Sequence, residues 1–117
     1  MNRGWRTNAV RLALICAATL ALTLPARAMT GAELLQADRA FGEGYVLGAV
    51  ESYLLTEEKD KELQGRQMKR LACVMQSGAQ ASVLYQTVAQ HIRNNPKALR
   101  EHALSSVYRT IIEMCDQ

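Results

Sequence analysis

Apolar positions recur along most of this 117-residue chain at three- and four-residue intervals, and no stretch alternates as a half-buried strand does. The cleanest pattern is the last. Leu104, Val107, Tyr108, Ile111, Ile112 and Cys115 form one stripe on a helix predicted over residues 104–114, with Cys115 on its buried side. Ala81, Leu84, Tyr85, Val88 and Ile92 mark a second helix over residues 81–93. Asn94, Asn95 and Pro96 stop it, because proline disfavours helical geometry in the residue before it, and residues 96–101 suit one short helical turn.

Upstream, Met68, Leu71, Ala72 and Met75 predict a short helix with Cys73 beside its stripe and Ser77-Gly78 at its end. The longest pattern runs through Leu34, Leu35, Phe41, Tyr45, Leu47, Val50, Tyr53 and Leu54 and predicts one long helix over residues 31–55, with its glycines as places for a kink. Thr30 and Glu33 supply a capping box at its start. Gly42, Gly44 and Gly48 each cost about 1 kcal/mol of helix propensity against alanine, so something should offset them. Gly44 and Gly48 lie one turn apart and predict a face where a neighbouring helix, or a second copy of the chain, packs closely. Together these patterns predict an all-α fold, a small bundle of four to five helices.

Between the long helix and Met68 lies an almost wholly polar stretch, residues 56–67. It reads as a solvated helical extension or as a linker, with Gly65 a break. Such charge runs are usually a wet face. The sharper alternative is an acidic contact surface for a partner, carried by Glu57, Glu58, Asp60 and Glu62.

The N-terminus changes the charge argument. Arg3, Arg6 and Arg11 form a basic region, residues 12–24 are almost purely apolar, and Ala26-Arg27-Ala28 gives a small–x–small cleavage pattern. That reads as a secretory signal peptide over residues 1–28, with a single mature domain over residues 29–117. The apolar run is shorter than the roughly 20 residues of a membrane span, so no stable anchor is expected after cleavage. Cys16 falls inside the run and leaves with it. The chain as a whole has 14 basic and 11 acidic residues; losing Arg3, Arg6, Arg11 and Arg27 leaves 10 against 11. The basic balance belongs to the leader, and the mature domain carries no electrostatic footprint for nucleic acid.

Two cysteines then remain, Cys73 and Cys115. An exported domain this small gains from a covalent staple, and an even cysteine count fits a disulfide between them. Closing that 42-residue separation removes chain entropy worth about 4 kcal/mol on the loop model.

The search for chemistry turns up little. His91 and His102 are the only histidines, Pro96 separates them, and the cysteines are committed to the disulfide, so neither a metal site nor a Cys–His nucleophile is expected. No glycine-rich phosphate loop follows a strand. Glu57 and Glu58 sit where nothing raises a carboxyl pKa. The chain reads as a non-enzyme with no cofactor.

A resemblance adds to this reading. Met29-Thr30-Gly31-x-Glu33-Leu34-Leu35, Ala40-Phe41-x-x-Gly44-Tyr45-Val46-x-Gly48, Cys73, His91-Ile92-x-x-Asn95-Pro96, Ala103-Leu104 and a late cysteine occur in the order seen in periplasmic immunity proteins of type VI secretion, the Rap/Tai class. The chain resembles that class over nearly all of its mature length. It departs where members often hold a further cysteine pair, at Asp38 and Gly42, which here lie one helical turn apart. The resemblance implies a periplasmic protein that binds and blocks a toxic effector, typically a peptidoglycan-cleaving amidase, and that dimerises in some cases. Contact through residues 57–62, or through the turn at Asn94, Asn95 and Lys97, is the expectation. A small acid-stress periplasmic chaperone and a structural envelope subunit are the alternatives.

Overall fold

A computed structural model describes residues 27–117; the proposed leader, Cys16 included, lies outside the described residues apart from its last two positions. The described chain is all-α, with helices α1 (Gly31–Gln36), α2 (Arg39–Leu55), α3 (Lys61–Gln76), α4 (Ala81–Asn94) and α5 (Ala103–Cys115). A 3-10 turn, Pro96–Leu99, joins the last two. Proline opens that turn, where its missing N–H costs nothing. No described helix is long and apolar enough to cross a membrane.

The core is aliphatic and centred on α5, which presents Ala103, Val107 and Ile111 at four-residue intervals, each at most 2% exposed. Against them pack Leu34 from α1, Val46, Val50 and Leu54 from α2, and Leu84, Val88 and Ile92 from α4. Of the stripe expected on α5, Leu104 and Ile112 fall on its flank and remain more than a third exposed.

The expected helix over residues 31–55 is two helices. Ala37 takes an extended backbone after its N–H bonds Glu33 O at 3.0 Å, and that ends α1. Asp38 then starts α2 as its N-cap, its carboxylate accepting from the backbone N–H groups of Ala40 (2.9 Å) and Phe41 (3.3 Å). A short acidic side chain offers these amides a partner outside the helix, which is why Asp favours caps over helix interiors. The bend folds α1 back over the core, so that Leu34 is fully buried. The expected capping box is present: Thr30 Oγ1 accepts from Glu33 N, and Glu33 Oε2 accepts from Thr30 N at 2.7 Å.

The residues just before α1 are tied down by a short antiparallel bridge. Gly31 N donates to Glu101 O at 3.0 Å and Ala103 N donates to Met29 O at 2.8 Å. This is the one extended pairing among the described residues, too short to count as a strand. It anchors the chain from Met29 onward.

The glycines divide differently from the expectation. A side-chain carbon added at Gly31 would lie 2.2 Å from Ala98 O, and one at Gly42 would lie 2.6 Å from the Tyr85 ring. Close approach is thus needed at Gly31 and Gly42. At Gly44 and Gly48 nothing among the described residues lies within 4 Å, so no described helix packs on that face. Asp38 and Gly42 therefore have work of their own: Asp38 caps α2, and Gly42 admits Tyr85.

The short helix expected at residues 68–75 is also longer. It begins at Lys61, capped by Asp60, and Gly65 sits within it without a break. Its first turns are the solvated helical extension, and no residue of α3 is buried. Leu71 and Val74 pack half-buried against the core, whereas Met68 and Met75 of the expected stripe are 56% and 72% exposed.

Covalent and polar links add to this apolar packing of α3. The Cys73–Cys115 disulfide joins it to the end of α5, with the Cα atoms 5.8 Å apart. Next to it, Arg70 makes a two-pronged pair with Asp116 and donates to the Tyr53 hydroxyl. Gln67 Nε2 donates to the carbonyls of Tyr53 (2.5 Å) and Thr56 (2.9 Å), satisfying acceptors at the C-terminal end of α2.

Candidate partner-binding surface

The two predicted contact segments lie toward opposite ends of α2. Residues 57–60 follow directly on its last turn and lead into α3. The turn at residues 94–97 lies at the other end, since Arg93 shares a cleft with Arg39, the first residue of α2. One compact partner contact therefore draws on one of these segments.

Most of the named side chains have local structural tasks. Asp60 caps α3 by accepting from Glu62 N (2.9 Å) and Leu63 N (3.0 Å). Glu62 pairs with Arg66 one turn on at 3.1 Å, and Glu58 accepts from Asp60 N at 3.1 Å. At the other end, Asn95 Nδ2 donates to His91 O at 2.7 Å, Gln90 donates to Asn94 Oδ1 at 3.0 Å, and Lys97 lies 3.5 Å from Glu101. Glu57 has neither an ion pair nor a hydrogen bond among the described residues.

Beside the acidic segment, α2, α3 and the start of α4 enclose an apolar groove of about 300 Å³. Val50, Leu54 and Leu84 form its floor, Leu71 and Val74 its α3 wall, and Leu47, Leu55 and Met75 its exposed lips. Glu51 is the one charged residue that lines it. Sequence reasoning did not identify this groove. The sequence carried no signal for it, because periodicity places Leu55 and Met75 on or near helical core stripes, whereas in the structure they are 70% and 72% exposed.

A cleft of about 600 Å³ lies between α4 and α5 and contains His91 and Glu113. The His91 side chain is 7% exposed; its Nδ1 lies 3.0 Å from Glu113 Oε2, and its Nε2 is buried without a partner among the described residues. The hydroxyls bordering this cleft are engaged by their own helices, Thr87 donating to Val83 O and Thr110 to Ser106 O. His102 is exposed at the N-cap of α5, away from His91. Among the described residues no three His, Cys, Asp or Glu side chains converge to hold a metal ion.

The perturbed carboxylates belong to the scaffold. Backbone hydrogen bonding from Thr30, followed by the Arg27 side chain, lowers the Glu33 carboxyl to about 2. Arg109 holds Glu101 low, and Arg70 does the same for Asp116. These groups fasten α1, the 3-10 turn and the C-terminus. None lines the groove.

Compared with known proteins, the chain matches no protein family, no curated sequence and no solved structure.

Proposed function

We propose that this protein is an exported binding module of the immunity class: in the periplasm it engages a toxic type VI effector, a peptidoglycan amidase, and blocks its active cleft. The ordered motifs from Met29 to the late cysteine motivate the class. The observation that carries the mode of action is the pole where α2 meets α3. There a disulfide-fastened helix, the Glu57 carboxylate, unpaired among the described residues, and an apolar surface sit side by side. An inhibitor needs no chemistry of its own. It needs a rigid projection with unsatisfied charge and uncovered apolar area, and this pole supplies both. On this reading residues 57–62 make the contact, and the turn at residues 94–97 is scaffold.

The test is co-purification of the exported protein with a cell-wall hydrolase from a strain carrying its own secretion effectors, followed by an inhibition assay. Recovery of one hydrolase, inhibited on binding and released by simultaneous charge reversal at Glu57, Glu58 and Glu62, supports the proposal. Unchanged inhibition by that triple variant would refute the acidic contact, and failure to recover a hydrolase would refute the class.

A second reading, an acid-stress chaperone, draws on the exposure of Phe41, Leu55 and Met75. It predicts protection of unrelated client proteins at low pH, which an immunity protein lacks.

A further inference from the structure

The groove between α2, α3 and the start of α4 is a binding surface in its own right. The geometry points to one kind of occupant: a two-turn amphipathic helix of a partner protein, with apolar residues on one face and basic residues flanking them. This inference rests on the reading of the chain as a protein-binding module and adds where and how it binds.

Three observations select that occupant. Leu47 and Leu55, the lips contributed by α2, are eight residues apart, about 12 Å at the rise of an α-helix. That length matches side chains at i, i+4 and i+7 on a docking helix. The groove holds about 300 Å³, whereas a cavity of about 150 Å³ takes one benzene-sized group. It therefore seats two or three aliphatic side chains. An exposed methionine on the rim adds an adaptable contact of the kind helix-binding grooves use.

Charge decides the sign of the partner. Glu51 lines the groove and Glu57 adjoins its end, and neither has an ion pair among the described residues. From Leu47 to Met75 the charges balance, Glu51, Glu57, Glu58, Asp60 and Glu62 against Lys59, Lys61, Arg66, Lys69 and Arg70, but within the groove Glu51 is the one charged residue. A basic flank on the incoming helix answers Glu51 in the groove and Glu57 at its end. A second copy docked groove to groove would bring two Glu51 carboxylates into one apolar contact, which costs binding energy.

The groove also depends on its staple. Its α3 wall has no fully buried residue, so the Cys73–Cys115 bond and the Arg70 pair add to the packing of Leu71 and Val74 in holding it in place. Reduction should loosen the wall and weaken docking.

The experiment is a fluorescence-anisotropy titration of the purified, oxidised protein with a labelled 16-residue helical peptide. The peptide carries leucines at i, i+4 and i+7 and lysines flanking that stripe; a control peptide has glutamates in place of the lysines. Saturable binding is expected for the lysine peptide and at least tenfold weaker binding for the glutamate peptide. Leu55→Asp and Met75→Asp, both at exposed positions, should each weaken the lysine peptide at least tenfold with an unchanged circular dichroism spectrum. Reduction should weaken it as well.

Absence of saturable binding, or binding indifferent to both substitutions, would overturn the inference. So would sedimentation showing a dimer that Leu55→Asp dissociates, which would give the groove to a second copy. Variants that lose the peptide but still inhibit the hydrolase would overturn the groove as the partner site while the immunity reading stands. Variants that lose both support it.

Discussion

One substitution, glycine to alanine, should have opposite effects at different points of this fold. At Gly31 the added carbon meets Ala98 O at 2.2 Å, Ala98 C at 3.1 Å and Ile92 Cγ2 at 3.2 Å. The nearest atom is a backbone oxygen, so no rotamer change relieves the contact; the 3-10 turn must move by about 1 Å away from α1. That shift strains the bonds Gly31 N to Glu101 O and Ala103 N to Met29 O, which pin both segments. Overpacking of this kind costs about 1–3 kcal/mol, and the gain in propensity at a first helical position does not offset it. We expect Gly31→Ala to destabilise by about 2 kcal/mol, equivalent to a melting point about 10 °C lower for a domain of this size. Gly44→Ala and Gly48→Ala place a methyl group in open space inside a helix, and each should stabilise by about 0.5–1 kcal/mol. Gly42→Ala falls between, because the Tyr85 ring at 2.6 Å is a side chain that can yield. The assay is urea unfolding of the four variants followed by circular dichroism. A neutral or stabilising Gly31→Ala, or a destabilising Gly44→Ala, would refute the packing described for α1 and α2.

Three further outcomes follow from the same structure. Replacing both Cys73 and Cys115 with serine should lower stability by about 4 kcal/mol on the loop model; hydrogen exchange should then show α3 losing protection first, and uniform loss across the bundle would contradict its weak anchoring. Asp38→Ala removes the cap of α2 and should cost about 1 kcal/mol in urea unfolding, with Asp38→Asn restoring most of it. For Glu33, hydrogen bonds from Thr30 and from Arg27 hold the folded carboxyl of the uncleaved chain at about 2 against an unfolded value of 4.5. Removal of Arg27 with the proposed leader leaves the Thr30 bonds to lower it. Ionised Glu33 therefore favours the folded state: its contribution is full above about pH 4.5 and is lost as the pH falls to about 2. Glu101 and Asp116 act in the same direction. Carboxyl titration by NMR checks the Glu33 value, and a midpoint near 4.5 would break the link between the capping box and acid stability.

The sequence by itself determined whatever depends on neighbours along the chain. Helical periodicity gave the class, Thr30 and Glu33 gave a working cap, and Pro96 ended α4. The cysteine count named the right pair for the staple. Each follows from spacing or residue chemistry within a few positions, or from elimination when two cysteines remain.

Tertiary structure decided what depends on distant neighbours. Whether residue 38 continues a helix or caps one turned on whether α1 gained more by folding back onto the core than α2 lost by being shortened, and Leu34, fully buried, records the outcome. Which glycines admit a neighbour depended on where Ala98 and Tyr85 arrive, some 67 and 43 positions later in the chain. The groove was invisible because Leu55 and Met75 carry the same hydrophobic signal as core residues. Only the placement of α3, fixed by Cys73–Cys115 and by Arg70 reaching Asp116, leaves them on an open rim. Periodicity tells a helix which face is apolar. The packing of the other helices tells that face whether it is covered.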